Sequence, residues 1–360
     1  MFGWICKAAC GRGKSEVIDG RQITQGALLA DGGFAYVYRG ADARTGEDIA
    51  VRRALLHDSE ARQAAREEIA LLEGLPHHEH VVRFLGAEIL GASGSEKAEF
   101  VSIWELCTGG TLVDALQAAM RSASPGQLDG AGALCPCLQE AAALQVLRGM
   151  GGALSHLHKS AIVHYDVKSE NLMLGADNRW KLGDFGSASR RTFDLTNAAG
   201  QQVLEAEEFV AGRCTPMYRA PEIADVYLRL PVGPKVDVFA SGCVLYATMT
   251  GTHPFPQDSQ LANVQAKFRL PRQAEAAYSR AFATWVMRLL ARDPAERPTA
   301  AALAAEVQSF AESRREPPSP VEDMAAGLRP RGGGATSAHG QEWKADFSPF
   351  AADTDTGPDR

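Results

Sequence analysis

Apolar and polar residues alternate in the first third of the chain and recur at helical spacing in most of the rest. Short alternating runs at 23–38, 48–53, 81–85 and 100–106 predict antiparallel strands. Stretches with apolar residues three and four apart predict helices at 59–73, 111–120, 140–159, 235–250, 280–292 and 299–312. Strands followed by helices predict an α+β fold with a small antiparallel-sheet lobe (21–106) and a large, mainly helical lobe (107–312).

The two ends of the chain lack this periodicity. Residues 1–20 predict an N-terminal tail in which Cys6 and Cys10 lie beside basic residues. For that tail, an unstructured leader and a cysteine-acylated membrane contact are alternative interpretations. Residues 313–360 are rich in Pro, Gly, Ser and Asp, which predicts a disordered C-terminal tail. The similar composition of 122–137 predicts an insertion loop.

Composition narrows the class of protein. With 45% hydrophobic and 22% charged residues and no run of about 18 to 20 apolar residues, the chain is expected to be soluble and without a transmembrane segment. A net charge of -7 argues against a general nucleic-acid binder. Seven scattered cysteines and no secretory signal favour a reducing, cytoplasmic setting.

Two short segments could be taken for metal sites. Cys135 and Cys137 have the spacing of metal ligands but no matching second pair, whereas structural zinc needs four ligands. His77, His78 and His80 lie in a predicted loop that enters a strand, so structural hydrogen bonds are expected for them instead of a metal.

Catalytic chemistry is concentrated between residues 164 and 184. Asp166 follows a predicted helix, where its carboxylate can orient a hydroxyl group and accept its proton. Lys168 would neutralise a transferring phosphoryl group. Asn171 and Asp184 offer the hard oxygen ligands that suit Mg²⁺ bridging the phosphates of ATP. Asp184-Phe185-Gly186 and then the Ala-Pro-Glu triplet at 220–222 complete an order of motifs typical of protein kinases.

Other residues are expected to support this site. Thr215 and the Tyr-Arg pair at 218–219 would form the floor of a peptide site. Glu222 is expected to form a buried pair with Arg297, a pairing that needs the geometry of arginine. Asp237, at the start of a predicted helix, is expected to cap the backbone of the catalytic loop.

Three positions depart from the usual kinase pattern. The loop Ala-Asp-Gly-Gly-Phe-Ala (30–35) stands where G-x-G-x-x-G is usual, and Arg52 stands where a strand lysine holds the phosphates, with Glu68 as its predicted partner. Arg52 is expected to bind Glu68 at two points and miss the phosphates, which would lower the rate about 10- to 150-fold. Tyr165 replaces the arginine that reads a phosphorylated activation loop, which argues against control by that phosphorylation.

Residues 21–312 resemble the protein kinase fold, and in detail they are similar to the Numb-associated kinases, which include the adaptor-associated and cyclin-G-associated kinases. The shared features are the 30–35 loop, Cys-Thr-Gly-Gly at 107–110, Asp-Phe-Gly-Ser-Ala at 184–188, acidic residues at 205–208, and the segment from Thr215 through Ala-Pro-Glu to Val226-Tyr227. The Numb-associated kinases have lysine at the position of Arg52.

The resemblance implies ATP and Mg²⁺ as cofactors, with ATP at the hinge and Trp104 walling off the pocket behind the nucleotide. The catalytic residues implied are Asp166, Lys168 and Asn171. The residues implied to bind Mg²⁺ are Asn171 and Asp184. The ATP-binding residues implied are Ala30, Gly32, Gly33, Phe34, Val37, Ala50, Arg52, Glu68, Glu105, Cys107 and Met173.

The resemblance also implies protein substrates phosphorylated on Ser/Thr, among them clathrin adaptors, and a peripheral place at vesicle membranes. The aromatic segment 343–350 in the predicted tail would dock on endocytic adaptors, with a solvated tail as the alternative.

Three functional hypotheses follow. The first is an active serine/threonine kinase of reduced activity, because Asp166, Lys168, Asn171 and Asp184 are intact. The second is a pseudokinase scaffold that binds nucleotide or partners, and it is motivated by Arg52 and Tyr165. The third is an adaptor-binding protein that acts through its tail, and it rests on the segment 343–350 alone.

Overall fold

The N-terminal lobe is built on an antiparallel sheet. The computed structural model describes residues 14–32, 35–91, 98–122, 137–256 and 259–314. The strands of this sheet are β1 (Lys14–Ile18), β2 (Arg21–Asp31), β3 (Ala35–Asp42), β4 (Asp48–Leu56), β5 (Phe84–Leu90) and β6 (Ala98–Glu105). They lie in the order β1-β2-β3-β4-β6-β5, and every neighbouring pair is antiparallel.

Each face of the sheet is covered by its own apolar cluster, which explains the alternation in the sequence. On one face, Ile49 and Val51 of β4 pack with the branched residues of the neighbouring strands. On the other, Phe100 packs with Ala65 of helix α1 (Ser59–Glu73). Helix α1 begins where the Asp58 side chain accepts a hydrogen bond from the Ala61 backbone N–H at 2.7 Å.

The predicted N-terminal tail, residues 1–20, is wrong at its C-terminal end. Strand β1 occupies Lys14–Ile18 and pairs with β2. Ile18 is fully buried with Ile23, and Glu16 forms an ion pair with Arg53 of β4. These contacts anchor the segment, because burial of one large aliphatic side chain contributes about 1.5–3 kcal/mol. Residues 1–13, which include Cys6 and Cys10, lie outside the described residues.

The C-terminal lobe is mainly helical. Its helices are α2 (Leu112–Ser122), α3 (Glu140–Lys159), α4 (Gly200–Ala211), α5 (Pro221–Ala224), α6 (Lys235–Thr250), α7 (Gln260–Gln265), α8 (Arg272–Ala277), α9 (Arg280–Leu289) and α10 (Ala300–Ser313), with a hairpin of β7 (Leu172–Leu174) and β8 (Trp180–Leu182). Helix α6 packs against α3 and α9 and is buried from Val236 to its end. The predicted α+β fold with a sheet lobe and a helical lobe is confirmed.

One predicted strand lies elsewhere in the structure, and one helix was missed. The strand expected at 81–85 forms at Phe84–Leu90, and Val81 contributes a single bridge to Leu182. Helix α4 was not predicted, although Val203, Ala206 and Phe209 are buried at a spacing of three residues. That spacing, with glutamates on the other face, was the available signal of an amphipathic helix.

The histidine segment makes the structural hydrogen bonds that were expected of it. His80 Nδ1 lies 3.0 Å from the carbonyl oxygen of Trp180, and the rings of His78 and His156 stack at 4.7 Å. Cys137 is buried, whereas Cys135 lies outside the described residues, as does the rest of 123–136 in the predicted insertion loop and 315–360 of the predicted C-terminal tail. In the part of the chain that the structure describes, no helix is long and apolar enough to cross a membrane.

A buried ion pair ties α5 to the segment before α10. The two terminal nitrogens of Arg297 bind the two carboxylate oxygens of Glu222 at 2.6 and 2.7 Å, and neither side chain is exposed. The guanidinium also donates to the carbonyl oxygens of Lys235, Ala291 and Arg292. The predicted pairing is confirmed, and it satisfies a charge that would be costly to bury alone.

We expect Arg297→Met to lower the free energy of unfolding by about 3–5 kcal/mol, because it leaves the Glu222 carboxylate buried without a cation. The matched control is Arg288→Met, which breaks an exposed pair with Glu306 and should cost less than about 1 kcal/mol. Urea denaturation followed by fluorescence measures both. The double variant Glu222→Leu/Arg297→Met should be more stable than Arg297→Met alone, and equal losses would contradict this account.

Candidate active site

Asp166 and Lys168 form a close network with Thr215. Asp166 Oδ1 accepts hydrogen bonds from the backbone N–H of Thr215 at 3.0 Å and from its hydroxyl at 2.8 Å. Asp166 Oδ2 lies 2.6 Å from Lys168 Nζ, which also donates to the Thr215 hydroxyl at 3.1 Å. The structure therefore brings Thr215 to two residues that lie far from it in the sequence. A carboxylate held in this way is fixed in orientation beside a cation.

The backbone before Asp166 is held by Asp237 of α6. The carboxylate of Asp237 accepts the backbone N–H of His164 and of Tyr165, each at 2.8 Å, and contacts His158 Nε2 at 2.8 Å. Tyr165 has φ +64°, a left-handed conformation that is strained for a non-glycine residue. The predicted capping role of Asp237 is confirmed, and it stabilises this strained turn.

Asn171 and Asp184 are brought close together by hydrogen bonds of the backbone around this loop. The side-chain amide of Asn171 donates to the carbonyl oxygen of Asp166 at 2.8 Å, which leaves Asn171 Oδ1 as its ligand atom. The backbone N–H of Gly183 donates to the Asn171 carbonyl oxygen at 2.9 Å and so holds Asp184 next to it. Burial alone would raise the pKa of Asp184, but Arg52 and Lys168 hold it below its usual value. The carboxylate is therefore ionised at neutral pH.

The donor set of Asn171 and Asp184 fits Mg²⁺. Mg²⁺ prefers hard oxygen ligands and is commonly bound by one or two protein ligands together with substrate phosphates. Among the described residues, no group of three or more His, Cys, Asp or Glu side chains could hold a metal ion. A metal held by Asn171 and Asp184 would thus complete its coordination with phosphate oxygens and water.

Aromatic stacking fixes the side chain that follows Asp184. The ring of Phe185 is buried and stacks on Trp104 with a centroid distance of 5.9 Å and an interplanar angle of 6°. It also lies 5.3 Å from the ring of His164. Trp104 donates its indole N–H to the Ser102 hydroxyl at 3.0 Å. The residue predicted to wall off the pocket thus forms one stack with Phe185.

Several predicted ATP-binding residues of the small lobe share one row of the sheet. Ala30 pairs with Val37, which in turn pairs with Arg52, so the three lie side by side on β2, β3 and β4. Ala50 lies two residues before Arg52 and therefore on the same face. Gly32 donates its backbone N–H to the Ala35 carbonyl oxygen at 2.9 Å, whereas Gly33 and Phe34 lie outside the described residues.

Arg52 contacts Glu68 of α1 at one point. Arg52 Nη1 lies 3.3 Å from Glu68 Oε1, and the two side chains are 27% and 10% exposed. The expected two-point contact is wrong: one nitrogen of the guanidinium contacts Glu68, and the group lies over the Phe100 ring, 5.9 Å from its centroid. Burial alone would lower the pKa of Arg52, but the carboxylates of Glu68 and Asp184 raise it. The guanidinium therefore stays charged and spans two acidic groups.

Glu105 and Cys107, the residues expected at the hinge, lie near Lys181. The sequence did not indicate a role for Lys181. Glu105 Oε1 accepts the backbone N–H of Arg83 at 2.7 Å, and its Oε2 lies 2.7 Å from Lys181 Nζ. The pKa of the Cys107 thiol is raised to about 12 by burial and by Glu105. Met173 pairs with Lys181 in the hairpin of β7 and β8. The methyl carbon of Met173 packs so closely on Gly183 that a Cβ at that glycine would lie 2.4 Å from it.

Comparison with known proteins gives one family. The family model of the protein kinase domain matches residues 23–307. A probable serine/threonine-protein kinase of Dictyostelium discoideum is 30% identical over 285 residues, which cover 78% of this chain and 33% of that protein. Serine/threonine-protein kinase 16 of Mus musculus is 27% identical over 319 residues, which cover 86% of this chain and 95% of the mouse protein.

The relatives differ in length from this chain. Serine/threonine-protein kinase AKL1 of Saccharomyces cerevisiae is 26% identical over 287 residues, which cover 75% of this chain and 24% of the yeast protein. The matched region spans 24% to 33% of the Dictyostelium and yeast relatives. The similarity to these relatives is therefore confined to part of their length.

Proposed function

This chain belongs to the protein kinase family, and from that premise we propose that it transfers the γ-phosphate of ATP to serine or threonine hydroxyls of proteins. The observation that carries the proposal is the network in which Asp166 binds both Lys168 and Thr215. The names of the relatives, all serine/threonine-protein kinases, support the same reaction. We further propose a catalytic domain that runs from Lys14, where β1 begins, to residue 312.

The side chains divide the chemistry between them. Asp166 orients the substrate hydroxyl and accepts its proton, because its carboxylate is fixed at both oxygens. Lys168 places a positive charge beside the phosphoryl group as it transfers. Asn171 and Asp184 would hold Mg²⁺, which neutralises charge on the phosphates when it is bound. Phe185, packed on Trp104, fixes the chain next to Asp184, and the charges of Arg52 and Lys168 hold the pKa of Asp184 below its usual value.

ATP is proposed to lie between the two lobes. Ala50 above and Met173 below would contact the adenine, and the backbone at Glu105 and Cys107 would bind its edge. The Glu105 side chain is held by Arg83 and Lys181, so its contribution is through the main chain. Ala30, Gly32, Gly33, Phe34 and Val37 would cover the phosphates, with Arg52 held beside them by Glu68.

A pseudokinase scaffold is the second candidate, and Arg52 is the observation that favours it. Its guanidinium is occupied by Glu68 and by the field of Asp184. A phosphate oxygen would have to compete with both carboxylates for this cation. The intact network of Asp166, Lys168 and Thr215 favours the active enzyme, with a turnover reduced by Arg52.

Asp166→Asn is expected to abolish phosphate transfer, because the amide cannot accept the proton of the substrate hydroxyl. The purified chain would be given Mg-ATP labelled at the γ-phosphate and a panel of generic Ser/Thr substrates. Incorporation by the parent chain that disappears in the variant supports the kinase. Signal no higher than that of the variant, across several substrates and divalent metals, would favour the scaffold.

Arg52→Lys is expected to raise kcat about 10- to 150-fold, because the compact ammonium restores one charge-assisted contact worth about 1.5–3 kcal/mol. Arg52→Met removes the cation and is expected to lower kcat below that of the parent chain. Steady-state kinetics with saturating Mg-ATP measures both changes. A kcat of Arg52→Lys equal to that of the parent chain would refute the role assigned to this position.

We also propose that the chain belongs to the Numb-associated group and acts in clathrin-adaptor or vesicle traffic. The 30–35 loop, the Cys-Thr-Gly-Gly hinge at 107–110 and the Asp-Phe-Gly-Ser-Ala run at 184–188 support this placement. The acidic residues 205–208 fall on helix α4 of the activation segment. Residues 343–350, proposed to contact adaptors, lie outside the described residues.

The full chain is expected to retain endocytic adaptor proteins in a pull-down, through the aromatic residues of 343–350. Phe347→Ala/Phe350→Ala should lose this binding, because short aromatic motifs contribute most of their affinity through the rings. Trp4→Ala, a substitution of another aromatic residue far from 343–350 in the sequence, is the matched control. Equal adaptor recovery with the parent chain and the double variant would contradict the proposal.

A further inference from the structure

Three aromatic rings join the catalytic loop (164–171) to the activation segment, which runs from Asp184 to Glu222. The ring of Tyr165, next to Asp166, meets the ring of Phe209 edge-on at 5.4 Å. Phe193 lies 5.3 Å from Phe209 on another side. Tyr165 is 2% exposed and Phe209 8% exposed, so both rings are withdrawn from water. We call Tyr165, Phe193 and Phe209 the aromatic cluster.

Two guanidinium groups lie against the same rings. Arg213 lies over the ring of Phe209 at 4.3 Å and Arg191 at 4.8 Å, and Arg191 also lies over Phe193 at 5.2 Å. Contacts of this kind favour a fixed ring orientation, because a cation is attracted to the face of an aromatic ring. Arg213 also donates to the carbonyl oxygen of Ser187 at 3.1 Å.

The Tyr165 hydroxyl adds a directional contact to the cluster. It donates to the carbonyl oxygen of Arg191 at 2.6 Å. Tyr165 therefore links two parts of the lobe. Its backbone N–H donates to Asp237 of α6, and its hydroxyl donates to the backbone of the activation segment at Arg191. Tyrosine makes this contact at the position where arginine is usual in the family.

A rigid connection leads from Phe209 to Thr215. Helix α4 ends at Ala211, two residues after Phe209. Arg219 donates to the carbonyl oxygen of Ala211 at 3.1 Å and to that of Cys214 at 3.0 Å, so it braces the end of the helix and the turn after it. Thr215 follows directly and donates both its N–H and its hydroxyl to Asp166.

We propose that Tyr165 and Phe209 are positioning residues that keep Thr215 on Asp166, and so shape the floor on which a protein substrate lies. The proposal rests on the kinase function proposed above. Both ends of the path meet at the same carboxylate: Tyr165 precedes Asp166 in the chain, and Phe209 reaches it through Ala211, Arg219 and Thr215. Neither ring touches the reacting groups themselves.

The decisive variant is Phe209→Ala in the full chain. We expect the KM for a protein substrate to rise about tenfold, because the substitution removes the contacts of the Phe209 ring with Tyr165, Arg191 and Arg213. We expect kcat/KM for that substrate to fall about a hundredfold, because misplacement of the substrate floor by about 1 Å costs that much. The KM for ATP should stay unchanged. A mere loss of folded protein would change neither KM.

Two further variants separate the contacts. Leu204→Ala truncates an apolar side chain on the same helix that is 52% exposed and outside the cluster, so its KM and kcat should equal those of the parent. Tyr165→Phe keeps the ring and removes only the hydroxyl contact, so we expect about a fivefold loss in kcat/KM. A protein-substrate KM of Phe209→Ala equal to that of the parent overturns the proposal.

Hydrogen exchange tests the proposal without any activity. The backbone amides of residues 212–215, 217 and 218 should exchange faster in Phe209→Ala than in the parent and in Leu204→Ala, while those of α9 and α10 exchange at the parent rate. If the parent transfers no phosphate but this pattern is seen, the proposed function fails and the positioning role stands. Unchanged exchange at 212–218 in Phe209→Ala overturns the positioning role, whatever the activity.

Discussion

The carboxylate of Asp237 is the contact on which the geometry of the active site depends. It is buried at the start of α6 and accepts the backbone N–H groups of His164 and Tyr165. The left-handed turn at Tyr165 directs the Asp166 carboxylate to Thr215 and the Tyr165 ring to Phe209. Because α6 is enclosed by α3 and α9, this anchor lies on one of the most constrained elements of the molecule.

Charge balance is a second constraint on the site. Three carboxylates, those of Glu68, Asp166 and Asp184, share two cations, Arg52 and Lys168. Such an arrangement favours a further positive charge, which a divalent metal supplies when phosphates are present. Arg52 stays charged beside Glu68 and Asp184. Its contribution to catalysis therefore depends on whether the guanidinium reaches the phosphates and on how strongly the two carboxylates compete with them.

Local signals predicted the long helices and most strands of the small lobe, and they missed one helix and one short strand. Helix α3 was placed correctly because its apolar residues recur over twenty positions. Helix α6 ends at Gly251, which has φ +70°, the left-handed conformation that glycine adopts without strain. Helix α4 was missed although its buried residues recur every three positions, and β1 was missed because its five residues are stabilised by β2 and Arg53.

By itself, the sequence determined the fold class and the order of the residues that carry the chemistry. Periodicity and motif spacing are properties of neighbouring residues, so they can be interpreted without coordinates. Only the tertiary structure decided that Lys168 meets Asp166, and that Arg52 meets its predicted partner Glu68 through one contact instead of two. It alone brought Tyr165 to Phe209. Most of these pairings join distant parts of the chain, and the packing of helices and strands, not local propensity, sets their distances.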